Sequence, residues 1–348
     1  MSRVRKSAEV VSQLSKNVTV DANGCENAAR KVYDAMKANN YSTTTWSSHA
    51  LNPDPCKQSA RSIVDWIATV DLLNFSFWSD VDEKDSGTRG SGRYSVEYNG
   101  THYTGYWSLV AAINRALDRG IAITSPTFWD TDEFNVQFAL NEVFYSSTDE
   151  HIPLLEERIA VLKEASSVLK SMGYASFAEL IPLAQQSATR LVELLSDKFP
   201  SFNDTSMYHG HKVYIFKRVQ IFVADLWACF RGQGYGQFTD IDEITMFADY
   251  RVPQILHSLG CLKYSPQLQT RLLEHHLIPH GDPDEVELRA CSIWAVELML
   301  KQILTIDPGA TVNAILIDFY LWDTAKQIQS KQGGQWAIPC HRTRSIYY

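Results

Sequence analysis

The chain has 348 residues, 45% of them apolar and 11% aromatic, which is globular composition with enough length for a sizeable core. A formal net charge of −8 argues against a general nucleic-acid binder, which would show a basic face, but leaves room for a small anion held by a few local cations. Six widely spaced cysteines without a CxxC pair argue against a zinc or disulfide framework, and no stretch approaches the ~18–20 apolar residues of a membrane span.

The start, MSRVRKSAEVVSQL, carries no apolar run of signal-peptide length, so the expected compartment is the reducing cytoplasm. The sequons at Asn17, Asn74, Asn99 and Asn203 are then read as chance matches. Residues 59–73 predict a helix with Ile63, Trp66, Ile67 and Val70 on one face. Residues 83–93 (EKDSGTRGSGR) read as a polar loop, and 93–107 as a hairpin turning at Asn99-Gly100. A helix follows over 106–120, ended by Gly120. Segments 152–170 and 175–196 are amphipathic, and 219–230 is apolar nearly all round, as a buried helix would be. Asp282-Pro283-Asp284 starts the long helix 284–304, and 313–328 is the last strong one. The tail CHRTRSIYY ends on aromatics, so Ile346 and Tyr347 are expected to dock on the body. With no internal repeat and no linker, the expectation is one compact domain over 1–348, mainly α with a small β-hairpin insert.

Three stretches could carry chemistry. In FTDIDEITMFADYRVPQ (238–254), Asp240 could cap a following helix, with Glu243 completing a capping box, or it could face a ligand. Asp249, Tyr250 and Arg251 stand at a junction that Pro253 enforces, either as a structural pair or as a pocket wall. LNFSFWSD (73–80) is either a core element or an aromatic slot whose polar ends read a flat heterocycle. Lys217 and Arg218 in IFKRVQ are a solvated helix end or a phosphate site. His209 and His211 form an HxH pair without further nearby ligands, and no Walker loop, dinucleotide fingerprint or nucleophile elbow is present.

LNFSFWSD, SLVAAINRALDRGI, ITMFADYRVPQ, ILIDFYLWD and HRTRSIYY, in that order, resemble the queuosine salvage family, queuosine 5′-phosphate N-glycosylases/hydrolases, over nearly the whole chain from SSHALNP onward. The resemblance implies a mostly helical fold similar to helix-hairpin-helix DNA glycosylases. It implies hydrolysis of the N-glycosidic bond of queuosine 5′-monophosphate, releasing queuine for tRNA modification. No metal or organic cofactor is implied, and the partner is a free nucleotide, with neither a membrane nor a stable nucleic-acid complex. By the same resemblance Asp240 is the catalytic carboxylate. Substrate contacts fall on His49, Asn74, Phe75, Trp78, Lys217 (near the phosphate), Asp249, Tyr250 and Arg251. Asp242 receives no role. The alternatives are a non-catalytic helical module binding queuine or a nucleotide, and a glycosylase acting on polymer, which the acidic charge disfavours.

Overall fold

The computed structural model describes residues 2–79, 81, 92–331 and 336–348; the expected loop at 83–93 lies, up to residue 91, outside them. The architecture is mainly helical with small antiparallel strand pairs, as the periodicities predict. No helix among the described residues is long and apolar enough to cross a membrane.

The helix Pro283–Ile306 is the organising element. Asp282 caps it through the Asp284 amide, and Pro283 takes the first turn, where its missing N–H costs nothing. It packs against the helices Arg3–Leu14 and Ala22–Ala38. Its buried carboxylate Glu287 collects the amides of Lys16, Asn17 and Val18 and the Tyr208 hydroxyl, which fixes the N-terminal segment on it. Strand Val18–Val20 then pairs with Leu262–Tyr264. The helix Ala22–Ala38 comes so close to this edge that a Cβ on Gly24 would sit 1.9 Å from the Gly260 carbonyl oxygen.

A second layer is built on the helix Lys217–Cys229, which packs against Ala60–Leu72 and Ala188–Lys198. Lys217 and Arg218 are buried in it rather than solvated, and Arg218 donates to the carbonyls of Leu72 and Ser201. The predicted hairpin forms as Ser95–Tyr98 and Thr101–Thr104. Asn99 and Gly100 both take positive φ, as a type I′ turn requires. A second hairpin, Thr205–Tyr208 with His211–Tyr214, turns at His209-Gly210 in the same way. The HxH pair is therefore an exposed turn, and among the described residues no group of three His, Cys, Asp or Glu could hold a metal.

Two predicted helices take other shapes. The segment 175–196 divides into the 3-10 turns Phe177–Glu179 and Ile181–Ala184 and the helix Ala188–Lys198, because Pro182, Gln185 and Gln186 interrupt it, the last two at positive φ. The stretch 238–254 makes only a 3-10 turn, Ile241–Glu243, and resumes as the helix Val252–Ser258. Between them, residues 244–250 are buried on all sides and follow no regular pattern. Their backbone groups are satisfied by side chains from other helices. Gln220 accepts the Thr245 amide at 3.1 Å, Asp318 accepts the Phe247 amide at 3.0 Å, and Arg289 donates to the Ala248 carbonyl at 2.9 Å. An apolar pattern of this density therefore marks burial from every side rather than one helical face.

Candidate active site

A cavity of about 800 Å³ opens where these elements converge. The helix Lys217–Cys229 presents Lys217, Ile221 and Asp225 to it, a spacing of four that keeps one face inward. The helix Ala314–Lys331 does the same with Asp318, Trp322 and Lys326. The irregular segment supplies Phe247, Asp249 and Tyr250, and the exit of the hairpin supplies Tyr106 and Trp107.

Carboxylates occupy one side. Asp249 Oδ1 accepts the amides of Arg251 (2.7 Å) and Val252 (2.9 Å), which caps the helix Val252–Ser258 and fixes the side chain. Lys217 faces it. Burial pulls the Lys217 ammonium down to about 8, Asp249 pulls it back up, and Nζ donates to the Asn74 carbonyl at 3.0 Å. Asp318 stands beside Asp249. Burial, then the Asp249 charge, hold the Asp318 carboxyl well above the ordinary carboxylate range. Deeper in, Asp225 faces the Trp46 indole, with Asp71 fully buried behind it. Burial raises both acids, Asp225 to about 7, and the Asp225 charge pushes Asp71 up further. Neither Asp71 oxygen has a well-formed hydrogen bond, although Asn74 approaches it.

Aromatic rings line the cavity as well. His49 stacks on Trp107 at 3.4 Å between centroids, with the planes 7° apart. Trp322 stands edge-on to Tyr106 and Trp107, and the Lys326 ammonium lies 4.4 Å from the Trp322 centroid. Burial, followed by the Lys326 charge, lowers the His49 pKa, so this stack is neutral.

Of the residues expected at the site, His49, Asn74, Lys217, Asp249, Tyr250 and Arg251 line this cavity. Phe75, Trp78 and Asp240 are placed elsewhere. Ser76 takes a left-handed φ of 51°, which turns the NFSFW segment so that Asn74 and Phe77 face the cavity. Phe75 points back between the Arg158 and Arg218 guanidiniums, at 4.3 and 5.1 Å. Trp78 packs with Tyr250 and Tyr348, donates to the Thr343 carbonyl, and is covered by Arg344. In the docked tail the fully buried ring is Tyr348, while Ile346 and Tyr347 are partly buried. Asp240 instead binds the N-terminus of the helix Ala188–Lys198, accepting the Ala188 amide and the Ser187 and Thr189 hydroxyls.

The sequence pattern did not single out Asp225, Asp318, Trp107 and Lys326. A signal was present: a lone Asp in the apolar run VQIFVADLWACF, and Asp318, Trp322 and Lys326 spaced four apart in IDFYLWDTAK.

Comparison with known proteins agrees with the motifs. A family model described as queuosine salvage protein matches residues 52–348. A protein of Schizosaccharomyces pombe, named queuosine 5′-phosphate N-glycosylase/hydrolase, is 50% identical over the full length of both chains. Proteins of the same name from Mus musculus and Sphaerobacter thermophilus are 40% and 35% identical, covering 99% and 92% of this chain and 98% and 91% of their own. The chain belongs to the queuosine salvage protein family.

Proposed function

We propose that this protein hydrolyses the N-glycosidic bond of queuosine 5′-monophosphate and releases queuine, with Asp249 and Asp318 as the acids that carry the reaction. The observation that supports this most directly is their juxtaposition in the lining of the cavity: Asp249 held as an acceptor by two backbone amides, and Asp318 beside it with its carboxyl pushed up by burial and by the Asp249 charge. Breaking the C1′–N bond builds oxocarbenium-like charge on the ribose, which a fixed carboxylate stabilises. Asp249 fits that role, because two backbone amides and Lys217 hold it in place. The leaving base is a 7-deazaguanine, which has no N7 to protonate. Its developing charge has to be met by donors at its other edges. The Asp318 carboxyl, pushed up by burial and by Asp249, is the acid placed to supply one. Stacking against the His49–Trp107 and Trp322 surfaces orients the flat base.

In this reading Asp240 contributes to the fold of the cavity's surroundings and Asp249 takes the catalytic place. No cofactor enters the scheme. The chain works as one domain on a free nucleotide in the cytoplasm, without a stable nucleic-acid complex, and the bond it cleaves is of the N-glycosidic kind that DNA glycosylases cleave.

The test is incubation of the folded protein with queuosine 5′-monophosphate and assay of free queuine. Base release that falls ~10³-fold or more in Asp249→Asn, at unchanged thermal stability, is the expected result. Binding without release, insensitive to Asp249→Asn, would instead establish a non-catalytic binding module.

A further inference from the structure

Ser76 keeps a left-handed backbone that a residue with a Cβ holds only under constraint. The constraint comes from the segment 341–348. The Ser76 amide donates to the Tyr348 main-chain oxygen at 2.5 Å, and the Ser76 hydroxyl donates to the Ser345 carbonyl at 2.9 Å. The Ser345 amide donates back to Ser76 Oγ at 3.3 Å. Tyr348 also reaches a second stretch of the cavity lining. Its fully buried ring packs with Trp78 and Tyr250 and lies 4.4 Å from the Arg289 guanidinium. Its Oη stands 2.9 Å from His341 Nε2, which fixes the ring in place. Arg289 in turn donates to the Ala248 carbonyl, next to Asp249 and Tyr250. Tyr348 thus stands behind both 74–77, where Asn74 and Phe77 face the cavity, and 248–250. The preceding residues are anchored without it: Arg218, Arg158 and Lys217 hold the carbonyls of Leu72, Leu73, Asn74 and Phe75. What the segment 341–348 adds is the turn at Ser76 and the distance between the two stretches.

We propose that Tyr348 is a positioning residue for the reaction: packed against Ser76, Trp78 and Tyr250, it sets the spacing of Asn74 and Phe77 from Asp249 and Tyr250. The inference rests on the function proposed above. Rate falls steeply when groups around a reacting bond move by about 1 Å, so a ring that never touches substrate can still act on kcat. The ring does this by filling the space between two stretches of chain that have no regular secondary structure of their own. Its hydroxyl serves His341 alone, away from both stretches, and belongs to stability rather than to positioning.

The experiment measures kcat and KM on queuosine 5′-monophosphate for the full chain, Tyr348→Phe and Tyr348→Leu, well below each melting temperature, and solves the crystal structure of Tyr348→Leu. Tyr348→Phe keeps the ring, so it should melt earlier yet keep the kcat of the unmodified enzyme. Folded Tyr348→Leu should lose ~10-fold or more in kcat with KM little changed, and its structure should show Ser76 or Tyr250 displaced. Should Tyr348→Leu fail to fold, Tyr348→Met, nearer the original volume, takes its place with the same expectation. An unchanged kcat per folded molecule would overturn the proposal. So would a loss confined to KM, an equal loss in Tyr348→Phe, or a variant structure in which neither Ser76 nor Tyr250 has moved. If the unmodified protein releases no base, the proposed function fails. The variant structure then decides alone whether Tyr348 sets the shape of the cavity: displaced lining supports it, and an unmoved lining overturns it.

Discussion

Asp240 caps a helix that is remote from it in sequence: its Oδ1 accepts the Ala188 amide at 2.5 Å, and its Oδ2 accepts the Thr189 hydroxyl at 2.6 Å. Ser187 is the local cap of that helix and serves the Arg190 amide, so the two residues divide the exposed donors of the first turn.

Asp240→Ala should therefore lower stability by ~1 kcal/mol, the usual scale for a helix cap, and leave kcat close to that of the unmodified enzyme. The pH dependence has a definite sign. Partial burial raises the Asp240 pKa, but the bonds from Thr189, Ser187 and Ala188 outweigh it and hold the group below the ordinary value. The stabilisation is present above the unfolded-state pKa and lost as pH falls through the folded one. Urea midpoints of the two proteins should accordingly converge in acid and differ at neutral pH.

Asp318 predicts the alkaline side of the rate profile. Its carboxyl is pushed up by burial and by Asp249, so with Asp318 as the proton donor turnover should decline as pH rises through that elevated pKa. Asp318→Asn keeps an acceptor for the Phe247 amide but has no proton to give. A folded variant with turnover reduced ~10²-fold and a flattened alkaline limb is the expected outcome; a full rate at high pH would remove Asp318 from the chemistry.

Arg289 joins the site to the rest of the fold. It is buried and donates to both oxygens of Asp204 (3.0 and 2.7 Å), to Glu285 (3.2 Å) and to the carbonyls of Ala248 and Tyr347. Arg289→Met strands two buried carboxylates and should cost ~3–5 kcal/mol in chemical denaturation. Combining it with Asp204→Asn should recover part of that loss.

Gly24→Ala tests the opposite case, a severe fault far from the cavity. The new methyl group would overlap the Gly260 carbonyl, at 1.9 Å from its oxygen and 2.6 Å from its carbon. Separation of the helix from the strand edge should lower the melting temperature, at a cost of ~1–3 kcal/mol, while kcat per folded molecule stays the same.

Much of this molecule was legible from residue order. Asn99-Gly100 announced its hairpin, Asp282-Pro283 its helix start, and the FADYR and HALNP motifs led to residues that line the cavity. Local pattern failed where long-range partners decide. Nothing within 244–250 shows that Gln220, Asp318 and Arg289 will satisfy its backbone, so its apolar spacing looked helical. Likewise, Asp240 looked like a cap for its own segment because Ala188 is far away in sequence. The direction of Phe75 and Trp78 depended on one left-handed residue, Ser76, at a position that residue preference does not forecast.

The irregular wall has a consequence for how this enzyme fails. Its amides at Thr245 and Phe247 are tied to side chains of two different helices, and the Ala248 carbonyl to a third. No part of that wall can loosen without releasing a contact in the body of the protein. Deuterium exchange at those two amides should follow global opening rather than local fraying. Partial denaturation would then leave few molecules that are folded but inactive, so catalytic rate can serve as a direct gauge of how much native protein remains.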